Sequence, residues 1–337
     1  MSKTKANNIY EIAEATGFSP STVARALRGD GYCKKETRDK ILKTAKSLSY
    51  TPNQAAKILR SNITNKIIFC IPDILNPYYF QMIRGVSDVM EQNGYHTILA
   101  SSQRDINREI GLINELNTRF VDGMILGSFD FSPRLMEVVE GSDYPFVLTN
   151  MVENDGVNKN YDCVYIDHIK AVYIATEHLI QKGHRNISLL VGNVSEQTGF
   201  ERAQGYINAF KDNNIPYRDE LVIQSDHTYE GGYRSFSEFM KQGIDISAVV
   251  ACNDLMGVGA MNFCHEKGFH IPDDIAIVTL DDTDYCICAF PQLSSVQMMQ
   301  YQVGEYSAKL LLERIKGERV RHKAICFDPA LKIREST

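Results

Sequence analysis

The chain has 337 residues, 44% hydrophobic and 23% charged, with a formal net charge of −6 at pH 7. That is the make-up of a folded globular protein of about two or three domains, and it excludes wholesale disorder. No stretch approaches the roughly 18 uncharged apolar residues of a membrane span, and the polar start MSKTKANN lacks the apolar core of a secretion signal. A cytoplasmic protein with no membrane partner is therefore expected.

The acidic total hides an asymmetry. Residues 1–62 carry 12 Lys and Arg against 5 Asp and Glu, a net of +7, while the remainder carries 24 against 37, a net of −13. A basic front end suits a polyanionic partner, because neutralising phosphates releases counterions. The eight cysteines are scattered, only Cys286 and Cys288 lie close together, and no CxxC pair occurs. Free thiols in a reducing compartment are the plain reading.

In NNIYEIAEATGFS the apolar Ile9, Ile12, Ala13 and Phe18 recur at helical spacing, and Gly17 suits a left-handed helix end. Ser19 offers an N-cap and Pro20 a first-turn residue for a second helix, PSTVARALR, which buries Val23, Ala26 and Leu27. Its other side carries Ser21, Thr22, Arg25 and Arg28, donors suited to phosphates and base edges. A third helix in KKETRDKILKTAKSLSY is expected to turn Ile41, Leu42, Ala45 and Leu48 inward and its lysines outward. Three short helices with a sharp corner form a helix-turn-helix unit, whose second helix enters the DNA major groove. Pro52 stops the third helix, and NQAAKILR at 53–60 suffices for a helix of about two turns, marginal on its own. The polar SNITN then places a domain boundary near residue 62.

From residue 66 onward, short apolar runs (KIIFCI, YHTILA, VDGMILG, YPFVLTN, NISLLVG, ISAVVACN, DIAIVTLDD) alternate with amphipathic helical stretches. Near-continuous apolar strands alternating with helices predict parallel sheets covered on both faces. Two rounds, at about 66–160 and 165–290, predict two such sheets, and KAICFDPALKIREST adds late strands. Ligands of open α/β sheets bind at the carboxyl ends of the strands. Those ends carry Asn76 with Tyr78 and Tyr79, then Asn150, Asn253 with Asp254, and Asp281 with Asp282. Amide, carboxyl and phenol groups suit a polyhydroxylated or amide-bearing small molecule. Asp254 and Asp282 equally suit helix capping, and Arg202 a structural ion pair.

The chain resembles the LacI/GalR family of transcription regulators over nearly its whole length. The resemblance is carried by IYEIAEATGFSPSTVARAL and TRDKILKTAKSLSYTPNQAAKIL, and later by NPYYF, VLTN, GFERAQGY, CNDLMGVGA and LDDTDY. It implies an all-α head at 1–62 with a hinge helix at 53–60. It further implies a core at 63–337 of two interleaved Rossmann-like parallel-sheet subdomains, like a periplasmic binding protein, that binds the effector and dimerises. Pro20, Ser21 and Arg25 fall on the family's base-reading positions, Thr22, Tyr32 and Thr37 on phosphate contacts, Asn53 and Ala56 on hinge contacts, and Leu59 on a wedge into the minor groove. Ala24 stands where the family usually has serine, and Lys34 replaces a capping serine with a charge suited to a phosphate. Tyr78, Tyr79, Asn150, Arg202, Asn253 and Asp281 fall on effector-contact positions, and His227 on one that is often aromatic. The partners implied are double-stranded DNA with a pseudo-palindromic operator, a second copy in a homodimer, and a small effector. For that effector a sugar or sugar derivative suits the polar set, with a purine or phosphorylated sugar as the alternative.

Enzymatic signatures do not appear. No HExxH, GxSxG, GxxxxGK[ST] or strand-borne GxGxxG occurs, so no metal or cofactor is expected. A hydrolase built on Asp281 and Asp254 is the enzymatic alternative, and a solute-binding protein is the second.

Overall fold

In the computed structural model the residues described are 8–29, 31–50, 63–116, 118, 120–129, 131–152 and 161–337. The chain divides into two compact units, the first ending at Ile63 and the second beginning at Thr64.

The first unit holds α1 (Ile9–Thr16), α2 (Pro20–Arg28) and α3 (Lys35–Ser47). Asn8 caps α1 by accepting from the Tyr10 and Glu11 amides, and Gly17 ends it at φ +75°, where a side chain would strain the backbone. Ser19 caps α2 through the Thr22 amide, with Pro20 in the first turn. Lys40 of α3 donates to the Thr16 carbonyl at 3.1 Å, placing a cation on the carbonyl end of α1. Ile12, Ala13, Val23, Ala26, Ile41 and Ala45 form the core. Leu42 departs from expectation, for it is 41% exposed. One residue is about 100° of helical turn, so with Ile41 at the centre of the buried stripe its neighbour faces outward.

The second unit holds two six-stranded sheets. The first contains β1 (Lys66–Ile71), β2 (His96–Ser101), β3 (Met124–Leu126), β4 (Phe146–Leu148), β5 (Tyr161–Ile166) and β11 (Ala324–Phe327), all parallel in the order β11-β5-β4-β3-β1-β2. The second contains β6 (Ile187–Val191), β7 (Val222–Gln224), β8 (Ala248–Ala251), β9 (Ala276–Asp281), β10 (Ser294–Gln297) and β12 (Ala330–Lys332), in the order β12-β10-β9-β8-β6-β7. Only β12 runs antiparallel there.

Both faces of each sheet are covered. In β1, Ile67, Phe69 and Ile71 pack with Met82 and Val86 of α4 (Tyr78–Gln92), while Ile68 and Cys70 face Ile113 of α5 (Ile106–Leu116) and Leu135 of α6 (Pro133–Glu140). Burial on two faces is why these strands read as unbroken apolar runs. The second sheet is flanked by α7 (His168–Gln181) and α8 (Gln197–Asp212), and by α9 (Tyr229–Met240) and α10 (Asp254–Lys267). A short α11 (Asp284–Cys288) precedes β10, and α12 (Gln300–Ile315) packs on α4.

The expected division at 160–165 needs correction. β5 belongs to the first sheet, and the chain returns there for β11 before ending in the second at β12. Three passages therefore join the lobes. A buried ion cluster fixes this region: Asp162 of β5, fully buried, accepts from Arg314 at 2.7 Å, Arg319 at 2.6 Å and the Lys323 amide at 2.7 Å. Burial alone would raise its pKa, but the bonds from Arg319 and Arg314 hold it below the ordinary value.

Candidate functional site

On the first unit, α2 presents Ser21, Arg25 and Arg28 to solvent, with Tyr32 and Lys34 exposed just beyond. Tyr32 is 83% exposed, an unusual setting for a large ring without a partner surface. Pro20, Thr22 and Thr37 are half-buried. The Ser19 hydroxyl lies 2.9 Å from both the Ser21 and Thr22 hydroxyls, so the cap also orients two candidate contacts. Lys34 precedes α3 without a side-chain cap, leaving its ammonium to solvent. Asn53, Ala56 and Leu59 lie outside the described residues.

In the second unit a cleft forms where the carboxyl ends of the two sheets meet. Tyr78, Tyr79 and Asn150 come from the first lobe, and Arg202, His227, Asn253 and Asp281 from the second, so all seven candidate effector residues line it. Asn76, Ser128, Phe129, Thr149, His168 and Thr198 complete the lining. Asn76 was legible as a strand-end residue, whereas the other five were not.

Local rules place each group. Asn253 caps α10 through the Met256 amide at 2.9 Å while its amide nitrogen donates to the His227 carbonyl at 2.8 Å, so it braces the site as well as lining it. His227 sits at φ +66° and Asp281 at φ +110°, conformations held by their surroundings rather than by preference. Gln300 donates to the Asp281 carbonyl at 2.5 Å. The imidazole of His227 stacks on Phe129, with centroids 5.2 Å apart and planes 6° from parallel. The Arg104 guanidinium lies 5.2 Å from the Phe129 centroid and donates to the Asp226 carbonyl at 2.8 Å. This stack joins the two lobes at the edge of the cleft.

The electrostatics follow from burial. Burial and then Arg202 push His168 down to about 3, and burial with Arg202 and Arg104 holds His227 well below its ordinary value, so both rings are neutral near pH 7. Burial and neighbouring Asp254 push Asp281 well above the ordinary carboxylate range, against the pull of Arg202. Among the described lining residues Arg202 is the one Lys or Arg and Asp281 the one acid. Three buried polar atoms here have no partner: Asn150 Nδ2, His168 Nδ1 and Arg202 Nε. Leaving a buried donor unpaired costs about 1–3 kcal/mol, and such atoms gathered in one cleft mark a place prepared for a polar guest.

Asp254 does not share this setting. Its two oxygens accept from Thr279, Ser295 and both the amide and hydroxyl of Thr283, and it does not line the cleft. Asp282 pairs with Arg334 at 2.6 Å. Both acids thus have structural partners. Among the described residues there is no group of three His, Cys, Asp or Glu placed to hold a metal, and no helix long and apolar enough to cross a membrane.

A helix-turn-helix unit followed by a two-lobed receptor with a polar cleft is the plan of a DNA-binding regulator that responds to a small molecule. The family profile described as bacterial regulatory proteins, lacI family, matches residues 8–53, and that of periplasmic binding proteins and the sugar-binding domain of the LacI family matches residues 64–330. The chain belongs to the LacI family. Catabolite control protein A of Priestia megaterium is 29% identical over 98% of both chains. The cellobiose complex of the transcriptional regulator CelR is 28% identical, with a TM-score of 0.75 over 98% of this chain and all of that one. The operator-bound Lac repressor dimer, 23% identical, shares the fold with a TM-score of 0.88 over 99% of each chain.

Proposed function

We propose that the protein is a homodimeric repressor whose affinity for a pseudo-palindromic operator is set by a carbohydrate bound in the cleft. The observation that carries the effector class is the convergence of Asn150 Nδ2, His168 Nδ1 and Arg202 Nε, all buried and unpartnered, in a cleft that Asp281 also lines. Sugar hydroxyls both donate and accept, so a single polyol ring satisfies this mixed set. A phosphorylated sugar is less well served, because one arginine faces one acid and no second cation lines the described cleft. A purine needs an open flat face, and the Phe129 ring is already engaged by His227 and Arg104. The cleft acts as a receptor.

Ser21, Arg25 and the rest of the α2 face read the bases, while Thr22, Tyr32, Lys34 and Thr37 hold phosphates, which position the head but carry no sequence information directly. Asn53, Ala56 and Leu59 serve the hinge. The cleft encloses only about 30 Å³, the scale of one or two waters. A sugar must therefore part the lobes or turn side chains, and it shifts the regulator only through its differential affinity for the two arrangements. The test is fluorescence anisotropy of a cognate duplex with the full-length protein across carbohydrate and purine panels. At least about a fivefold change in Kd with a carbohydrate is expected, the scale of ordinary coupling energies. A response confined to purines contradicts it.

A further inference from the structure

Three hydrogen bonds cross the mouth of the cleft from one lobe directly to the other. The Arg104 guanidinium, in the loop after β2, donates to the Asp226 carbonyl after β7 at 2.8 Å. Gln197, at the start of α8, donates through Nε2 to the Met151 carbonyl after β4 at 2.8 Å. The Thr198 amide donates to the Phe129 carbonyl at 3.4 Å. Each bond runs from protein to protein, so each forms without a ligand atom between the lobes. Among the described residues that line the cleft neither Arg104 nor Gln197 occurs.

The topology gives the Arg104 bond its leverage. The three passages between the lobes leave or join β5, β10, β11 and β12, which lie at one end of the two sheets, while β2 and β7 form the opposite edges. Lobes joined at one end separate most at the other. Six strands about 4.8 Å apart span about 24 Å, so a hinge rotation of about 10° parts the far edges by about 4 Å, enough to break a hydrogen bond there. The loops that meet at those edges are held against their own preference. Gln103 and Arg104 sit at φ +53° and +60°, and His227 at +66°, left-handed conformations that non-glycine residues keep only while their surroundings impose them. Within its own lobe Arg104 is placed by the Phe129 ring, 5.2 Å from the guanidinium, and by Asp73 at 4.0 Å. The first lobe thus presents the arginine, and the second supplies a backbone carbonyl to receive it.

We propose that Arg104, assisted by Gln197, is a latch that holds the two lobes together and sets how readily the cleft admits its ligand. A ligand that needs the lobes apart binds in proportion to the unlatched fraction, so the latch lowers its apparent affinity from outside the binding site. Arg104 is therefore a positioning residue, acting on the lobes and not on the ligand.

Hydrogen exchange of the full-length protein, read by mass spectrometry in overlapping peptides around Thr198, tests this. Thr198 lies in the first turn of α8, where an amide has no carbonyl partner within its own helix. Its protection therefore reports the bond to Phe129 across the mouth, at a position remote in sequence from Arg104. Arg104→Ala is expected to speed exchange at Thr198 at least about fivefold, the effect of losing a hydrogen bond from a charged donor, while β8, in the core of the second lobe, exchanges at the parent's rate. Arg104→Lys, which keeps a charged donor, is expected to fall between parent and alanine variant. No ligand enters the experiment, so its result is independent of the carbohydrate reading. An unchanged rate at Thr198 in Arg104→Ala overturns the latch, because the lobes then stay together without the arginine. An equal acceleration in β8 overturns it as well, because Arg104 then stabilises the fold in general.

Discussion

At the scale of single residues the cleft gathers buried polar groups, three of them with an unpartnered atom. Arg202 is 6% exposed with Nε unpartnered, and Asp281 is 3% exposed in a left-handed backbone. Arg202→Met and Asp281→Ala are each expected to weaken effector binding by at least about tenfold, as expected when a buried hydrogen-bonding partner of the ligand is removed, with operator affinity retained. Anisotropy on one duplex with and without ligand reads both quantities. Gly192 is a second point of control, because a Cβ there would stand 2.1 Å from His227 Nε2. Gly192→Ala must displace the imidazole from its stack on Phe129, and a cost of about 1–3 kcal/mol, typical of overpacking, is expected in chemical denaturation. An alanine variant as stable as the parent with undiminished ligand response would show that the stack has no part in the site.

At the scale of elements, the crossover region depends on one buried acid. Asp162→Ala leaves Arg314 and Arg319 without their shared partner, and breaking a buried pair on one side costs about 3–5 kcal/mol. Because its folded pKa lies below the unfolded value, the stability Asp162 contributes is complete above the ordinary carboxylate value of about 3.9 and is lost as pH falls through the depressed one. Denaturation midpoints of parent and variant should therefore converge in acid, and a gap that persists or widens there contradicts this role. The same residue explains what the sequence conceals. KIIFCI and DIAIVTLDD read as strands because both faces are buried, whereas YDCVYI carries a charged residue that only Arg314 and Arg319, some 150 positions later, make tolerable inside a sheet. VIQ and SSVQ are too short to show a pattern. Site residues follow the same divide. Tyr78, Asn150 and Asp281 were legible as polar groups closing apolar runs, but His168 follows the unread β5, Thr198 lies in the first turn of α8, and Phe129 belongs to a loop whose course only the fold determines.

At the scale of the whole molecule, the basic head and acidic core divide the work between phosphate attraction and ligand recognition. Lys34, exposed before α3, is expected to contribute one phosphate contact. Lys34→Ala should lower operator and nonspecific affinity alike and reduce the slope of log K against log salt by about one. A change confined to one operator sequence would make it a base reader instead. The head is expected to read a specific, two-fold-related site. The most direct measurement is selection of random duplexes by the purified full-length protein at near-physiological salt, followed by sequencing of the retained pool, repeated with the carbohydrate panel present. Enrichment of a pseudo-palindrome with half-sites about one helical turn apart, altered in yield by a sugar, is the expected result. Pools that stay random under every condition would contradict it.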